Sequence, residues 1–162
     1  MTRIVSGRFA GRRLRTPPGD STRPTAEKVR AAVGNALTAA GAVESATVLD
    51  LYAGSGALGL ELLSRGAARV VLVERARAAQ QAIRANIAAL DSGAATLYPG
   101  DVLGFAATPG ESFDLVVADP PYAESNEAIA AVLTALLASG RIAAGADIVI
   151  ERSVRDGDFP WP

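Results

Sequence analysis

The tetrapeptide Asp119-Pro120-Pro121-Tyr122 follows directly on the apolar run DLVVA and gathers acceptors and an aromatic face into four residues. Two prolines stiffen this loop and leave its carbonyls free as acceptors, since neither has an N–H. Such a loop suits an exocyclic amino group on a nucleobase. That nitrogen is a poor nucleophile because its lone pair is delocalised into the ring. The Asp119 carboxylate and the Pro120 carbonyl can bind its two hydrogens, favour a pyramidal nitrogen and aim the lone pair at an electrophilic methyl. Tyr122 can stack on the base, a contact worth about 1–3 kcal/mol. The chemistry then depends on alignment, which agrees with a chain that has no His and no Cys.

A second constellation is DLYAGSGALG, residues 50–59. Gly54, Gly56 and Gly59 let the backbone turn sharply and approach a ligand closely, at the start of a helix whose first N–H groups are free. The spacing GxGxxG also fits a nicotinamide dinucleotide, and Glu74 at the end of the next strand suits ribose hydroxyls in either case. Asp50 and Asp101 tip the choice toward S-adenosylmethionine. A carboxylate at the end of the first strand opposes a ligand ammonium group and repels a pyrophosphate. Asp101 ends the third strand in YPGD, at the height of an adenine amino group. The plainer alternatives are a helix-dipole partner for Asp50 and a turn acid for Asp101, and both must hold together. The expected donor pocket comprises Asp50, Tyr52, Gly54, Gly56, Gly59, Glu74, Arg75, Asp101 and Val102.

These residues need a scaffold, and from position 46 the chain alternates strand and helix. ATVLDLY (46–52), ARVVLVE (68–74), ATLYPGD, FDLVVA and ADIVIE (146–151) read as buried strands. Between them, Leu58, Leu62 and Leu63, then Ala79, Ile83, Ile87 and Leu90, and finally Ile129, Val132, Leu133, Leu136 and Leu137 recur at helical spacing. Such alternation specifies an α/β, Rossmann-like fold: a mainly parallel sheet with helices on both faces. Its first and fourth strands lie side by side, so Asp119 and the Gly54 turn should open on one crevice. Before this core, residues 1–45 read as a hairpin turning near Ala10-Gly11. A helix from RPT (23–25) to about Ala39 follows, with Val29, Val33, Ala36 and Leu37 on its apolar face.

At 162 residues, 49% hydrophobic and 20% charged, the chain suits a single domain that buries about 70% of its extended surface. It divides into the basic hairpin and helix (1–45), the catalytic core (46–151) and a short tail (152–162). Without Cys or His, zinc fingers, iron–sulfur clusters, thiol nucleophiles and imidazole triads are excluded. No apolar run approaches the roughly 20 residues of a membrane span and MTRIVSGR lacks a signal-peptide stretch, so a cytoplasmic location is expected. Residues 1–30 carry eight basic residues against Asp20 and Glu27, whereas the formal net charge of the whole chain is −1. Arg8, Arg12, Arg13, Arg15 and Arg23 therefore form a candidate footprint for RNA phosphates.

MTRIVSGRFAGRRLRTP, RPTAEKVRAAVGNAL, VLDLYAGSGALGLELLSRGA and DLVVADPPY resemble, in that order, the bacterial methyltransferases that modify a guanine N2 in 16S ribosomal RNA. The resemblance covers residues 1 to about 151, and the N-terminal arm is its discriminating part. It implies a class I methyltransferase fold, S-adenosylmethionine as donor with S-adenosylhomocysteine as product, and no metal. It further implies a target guanine presented on the assembling small ribosomal subunit; separately, a monomer that acts away from membranes is expected. Two departures stand out. Gly34-Asn35 replaces the family's Phe-Asn, which should loosen the first helix. The chain also ends at FPWP, where the family continues through an antiparallel strand pair with a Tyr-Gly motif, so the fifth strand is expected to be exposed.

Three other readings compete. A DNA adenine or cytosine amino-methyltransferase uses similar DPPY chemistry but usually needs an added target-recognition domain. A nicotinamide oxidoreductase needs a Tyr-x-x-x-Lys pair or a His to move a proton; the only lysine here is Lys28. A non-catalytic RNA-binding module would explain the basic arm alone.

Overall fold

In the computed structural model, which describes residues 2–19 and 24–162, the chain opens with a short antiparallel hairpin, β1 (Thr2–Arg3) and β2 (Arg13–Leu14). Helix α1 (Pro24–Ala39) follows. The core then alternates β3 (Thr47–Leu51), α2 (Ala57–Ser64), β4 (Arg69–Glu74), α3 (Arg77–Leu90) and β5 (Ala95–Pro99). It continues through α4 (Val102–Ala107), β6 (Phe113–Ala118), α5 (Asn126–Ala138) and β7 (Ile142–Ile150). The five core strands form one parallel sheet in the order β5-β4-β3-β6-β7, so β3 and β6 are neighbours as expected.

Near-continuous apolar runs in β3, β4 and β6 follow from burial on both faces. Val48, Val70, Leu72, Leu115 and Val117 pack with Leu37 of α1, Leu60 and Leu63 of α2, Ile83 of α3 and the hairpin's Ile4 and Leu14. The alternate set, Leu49, Leu51, Val71, Val73, Val116 and Ala118, packs with Phe105 of α4 and with Val132, Leu133 and Leu136 of α5. Six-residue α4 has no counterpart in the sequence reading. It is held by tertiary contacts on Phe105, whose ring meets Tyr98 at 4.9 Å and lies 3.9 Å beneath the Arg141 guanidinium.

Two helix faces differ from the periodic expectation. Leu137 is half exposed, because the inward stripe of α5 ends with Ile129, Val132, Leu133 and Leu136. On α1 the inward residues are Arg30, Gly34 and Leu37, with Val33 partly covered, while Val29 and Ala36 face outward. Arg30 turns inward because Glu61 of α2 lies 3.5 Å from its Nε and Thr2 accepts from its guanidinium at 3.1 Å. A Cβ on Gly34 would stand 2.7 Å from Cζ of Arg65, so the guanidinium takes the place of the large apolar anchor.

The fifth core strand begins at Ile142, four residues earlier than expected, with a register shift against Phe113 and Leu115. It forms the outer edge of the sheet, as anticipated. The tail beyond it is tied back. Arg152 donates to Asn126 Oδ1 at 2.9 Å and to the Glu124 carbonyl at 2.6 Å, a short 3₁₀ turn spans Val154–Asp156, and Phe159 packs against the second apolar cluster.

The N-terminal arm is joined to the core by three buried polar side chains. Glu61 accepts from the N–H groups of Val5 and Ser6 at 2.8 and 3.0 Å. Ser64 accepts from the Phe9 N–H at 2.9 Å and donates to the Ser6 carbonyl at 2.6 Å. Asn86 of α3 brackets Arg15, accepting from its N–H at 2.7 Å and donating to its carbonyl at 3.0 Å, and also donates to the Ser55 carbonyl at 2.9 Å. Asn86 thus fastens the arm to the glycine turn.

Gly7 marks the closest approach: its φ is 90°, and a Cβ there would fall 1.9 Å from the Ser64 carbonyl oxygen. Gly7→Ala should therefore cost roughly 2–3 kcal/mol, combining left-handed strain with the collision. Gly11→Ala provides the control, since Gly11 has a φ of 83° with nothing within 4 Å and should lose only the conformational part, about 1–2 kcal/mol. Urea midpoints of the two variants separate the contributions; equal losses would mean that the arm is not seated on α2.

Candidate active site

The site forms at the carboxyl ends of β3, β4, β5 and β6. Asp50, near the end of β3, is 2% exposed and its Oδ2 accepts the Gly59 N–H at 2.9 Å, in the first turn of α2. A Cβ on Gly59 would lie 2.8 Å from that oxygen and 2.9 Å from Leu72 and Val70, so this glycine allows helix and strand to touch. Burial pushes the Asp50 carboxyl well above the usual carboxylate range, opposed by the Gly59 N–H and reinforced by Asp119 and Glu74. A cationic group arriving beside it would favour its charged form.

Tyr52 breaks the two-residue alternation of β3. Its φ of 56° is left-handed, and its ring packs with the apolar cluster under α4 and α5 instead of sharing the face of Val48 and Asp50. The hydroxyl is buried and has no hydrogen-bond partner. Burial, followed by the charges of Glu124 and Asp101, pushes the phenol up to about 12 despite Arg152 and Arg75. Glu74 shapes the turn: its two carboxylate oxygens accept the Gly54 and Ala76 N–H groups, each at 2.9 Å. Gly54 and Gly56 hold φ values of 60° and 82°, the latter as N-cap of α2.

Two connected cavities open here. The larger, about 1040 Å³, is lined by Tyr52, Glu74, Arg75, Asp101 and Val102 on one side and by Asp119, Pro120, Pro121 and Tyr122 on the other. The smaller, about 580 Å³, is lined by Asp50, Gly54 and Ser55 of the core together with Thr2, Thr16 and Gly19 of the arm. Tyr52, Asp119, Tyr122 and Glu151 belong to both walls. Tyr122 is 90% exposed, leaving a ring face free. Enclosure by the site pushes Asp119 up to about 6, with the Glu151 carboxylate and a hydrogen bond to it adding to the rise and Arg152 opposing it.

The structure brings together most of the residues singled out from sequence. Gly56 and Gly59 line neither cavity and act through the turn and the helix–strand contact. Arg8, Arg12, Arg13 and Arg15 lie on the arm outside both cavities, and Arg23 falls outside the described residues. Sequence reasoning missed Glu124, Glu151 and Arg152, which line the larger cavity. The position of Glu151 as last residue of the fifth apolar run was the available signal. Arg3, one of the eight basic residues of segment 1–30 but outside the candidate footprint, pairs in register with Arg13 on the hairpin, both side chains being exposed.

Among the described residues the larger cavity carries five carboxylates, Glu74, Asp101, Asp119, Glu124 and Glu151, against the guanidinium groups of Arg75 and Arg152. A pyrophosphate is disfavoured in such a field and a cationic ligand is favoured. With the sheet order and the Asp-Pro-Pro-Tyr loop, the architecture is that of a Rossmann-like methyltransferase.

Comparison with known proteins narrows this class. Residues 2–161 match the family described as conserved hypothetical protein 95. The chain is 37% identical over 155 residues to ribosomal RNA small subunit methyltransferase D of Escherichia coli (strain K12), covering 96% of this chain and 76% of that protein. It is 37% identical over 128 residues to a putative rRNA methyltransferase of Bacillus subtilis, covering 76% and 68% respectively. The solved structure of a putative methyltransferase from Escherichia coli superposes with a TM-score of 0.81 at 36% identity, over 92% of this chain and 80% of that one. The chain belongs to this family, the one that includes ribosomal RNA small subunit methyltransferase D of Escherichia coli.

Methyltransferase relatives imply S-adenosylmethionine as methyl donor, and the residues present fit it. Ligand cavities commonly span about 300–1,000 Å³, the size of the larger one. The orphaned Tyr52 hydroxyl offers a buried polar group without a protein partner. Asp50 and the surplus of carboxylates suit an ammonium and a sulfonium.

Proposed function

We propose that this protein transfers a methyl group from S-adenosylmethionine to the exocyclic N2 amino group of a guanine in 16S ribosomal RNA of the small ribosomal subunit. The observation that carries the reading is the position of Asp119 and Tyr122 on the wall common to both cavities. The larger cavity is lined by the ends of the neighbouring strands, Glu74 and Asp101 among them, and the smaller by the glycine turn together with the arm. Relatives named as small-subunit rRNA methyltransferases support the RNA target.

Bound S-adenosylmethionine supplies a methyl group on a positively charged sulfur. Asp50, Glu74, Asp101 and Tyr52 hold the donor's polar groups, with the Gly54 turn close against it and Arg75 and Val102 beside the adenosine. Asp119 and the Pro120 carbonyl accept the two amino hydrogens and present the nitrogen lone pair. Pro121 keeps the loop rigid, and Tyr122 stacks on the guanine. The protein's contribution is position and electrostatics, both set before the reaction.

The arm serves the RNA backbone. Arg3 and Arg13 stand opposite each other on the hairpin, a pairing of like charges that is unfavourable by itself and relieved by a phosphate between them. Arg12 donates to the Ala89 carbonyl at 2.5 Å, so part of its guanidinium is already engaged. Each phosphate contact releases counterions, so Arg3→Ala/Arg13→Ala should flatten the log–log salt dependence of binding to small subunits by about 1.5–2. Turnover at saturation should change far less, because these contacts act alike in ground and transition states. Coincident slopes for wild type and variant would place the footprint elsewhere.

The reading itself is tested by labelled methyl transfer to small subunits, naked 16S RNA and duplex DNA, with the methylated base identified after digestion. N2-methylguanine in small-subunit RNA is expected. Labelled adenine or cytosine in DNA would replace the assignment by a DNA amino-methyltransferase, and donor binding without transfer to any of the three would exclude it.

A further inference from the structure

Glu151 has no part in the chemistry described so far, yet it stands beside the group central to it. Strand β7 runs parallel to β6 with Ile150 in register with Ala118, and the Glu151 N–H donates to the Ala118 carbonyl at 2.9 Å. The next residue on each strand is therefore a carboxylate, Asp119 on one and Glu151 on the other. Both side chains line both cavities.

The nearby cation is largely spent elsewhere. Arg152 donates to Asn126 Oδ1 and to the Glu124 carbonyl, and its remaining contact, at 3.4 Å, is with Asp156. Among the described residues, Asp50 of β3 and Glu124 also lie at the site, and both are acidic. Two adjacent carboxylates with no dedicated counter-ion among the described residues relieve their repulsion when one of them takes up a proton.

We propose that Glu151 is a positioning residue for methyl transfer, standing beside Asp119 so that the two carboxylates share the proton released by the methylated nitrogen. This rests on the amino-group reading of the site. The step balances as follows. As the nitrogen lone pair forms the N–C bond, the C–S bond breaks and its electron pair stays on sulfur. The nitrogen then carries a positive charge and one proton too many. That proton passes to Asp119, leaving a neutral methylamino group, is shared with the solvent-facing Glu151 carboxylate beside it, and is lost from the pair to water. The raised affinity of Asp119 for a proton, to about 6, places it between the ordinary carboxylate range and neutrality. It is then ionised at neutral pH and still a better acceptor than an isolated aspartate.

The test begins without substrate. Carboxyl carbon NMR of the whole chain follows the Asp119 titration in wild type and in Glu151→Gln. A wild-type midpoint near 6 is expected, and the variant's midpoint should fall by about one pH unit or more once the like charge is gone. Glu151→Ala, which removes any side-chain hydrogen bond, should shift it in the same direction. Unmoved midpoints in both variants overturn the shared proton, whether or not methyl transfer has been observed.

Single-turnover transfer to small subunits is then followed between pH 5 and pH 8. The rate should rise with pH as Asp119 ionises, and its inflection should move down in Glu151→Gln together with the NMR midpoint. An inflection that stays in place while the midpoint moves overturns the role of the pair in turnover. A wild-type protein that titrates as expected but methylates no guanine overturns the amino-group reading and leaves the carboxylate pair standing.

Discussion

Asp119→Ala should lower methyl transfer by roughly 10²–10³ while S-adenosylmethionine still binds with an affinity close to that of the wild type. Asp119 lines both cavities, and in the proposed reaction its carboxylate would orient the amino nitrogen as that nitrogen becomes tetrahedral. Deleting one preorganised acceptor of this kind removes an interaction that is stronger in the transition state than in the ground state, so the loss falls on kcat. The variant leaves untouched the residues proposed to hold the donor, Asp50 and the Glu74-braced turn among them. Calorimetry with S-adenosylmethionine and single-turnover assays on small subunits measure the two quantities separately. Near-normal turnover of the variant would remove Asp119 from the mechanism, and a parallel collapse of donor binding would move it into the donor pocket.

The largest effect on stability is expected at Glu61. This carboxylate is 0% exposed, accepts from the Val5 and Ser6 N–H groups and from Arg65 Nε at 3.0 Å, and forms an ion pair with Arg30, whose Nε lies 3.5 Å away. Arg30 also holds Thr2 and the Arg3 carbonyl, and Arg65 reaches Asn35 at 2.8 Å. Glu61→Ala strands two buried guanidinium groups and two backbone donors, which should cost about 3–5 kcal/mol, a large fraction of the roughly 5–15 kcal/mol that stabilises a typical domain. Glu61→Gln keeps the shape and one acceptor and should lose about 1.5–3 kcal/mol. Urea unfolding gives the totals. Hydrogen exchange at Val5 and Ser6 shows whether the arm leaves first, as it should if Glu61 is its anchor. A Glu61→Ala loss below about 1 kcal/mol would mean that the arm is held by other contacts.

The strand–helix alternation and the two motifs were legible in the sequence because each depends on neighbours along the chain, and the adjacency of β3 and β6 followed from the doubly wound class. A doubly covered parallel strand is an apolar run by necessity, and the Gly54 turn and the Asp119-Pro120-Pro121-Tyr122 loop carry their backbone restrictions in their own residue types. Residues whose roles come from partners far along the chain were not legible. Glu61, within Leu-Glu-Leu-Leu, gives no sign of burial, because the Val5, Ser6 and Arg30 groups that make burial tolerable are reached only through the tertiary fold. Helix α1 shows the same effect from the other side: Arg30 faces inward and Val29 outward because an ion pair and the Arg65 guanidinium over Gly34 decided its rotation.

In the site, Asp50, Glu74 and Asp119 sit at strand ends that the apolar runs mark, whereas the orientation of Tyr52 depends on a left-handed backbone that no residue type announces. Glu151 joined the site only when β7 paired with β6 in one particular register, across a long crossover through α5. A shift of that register by a single residue would have turned the carboxylate to the other face of the sheet. What the amino acids determined alone was therefore the class of chemistry and the scaffold that presents it. Tertiary packing decided which charges are buried, how the arm is fastened to the glycine turn and which carboxylate stands beside Asp119, because these depend on distances between elements that local sequence does not encode.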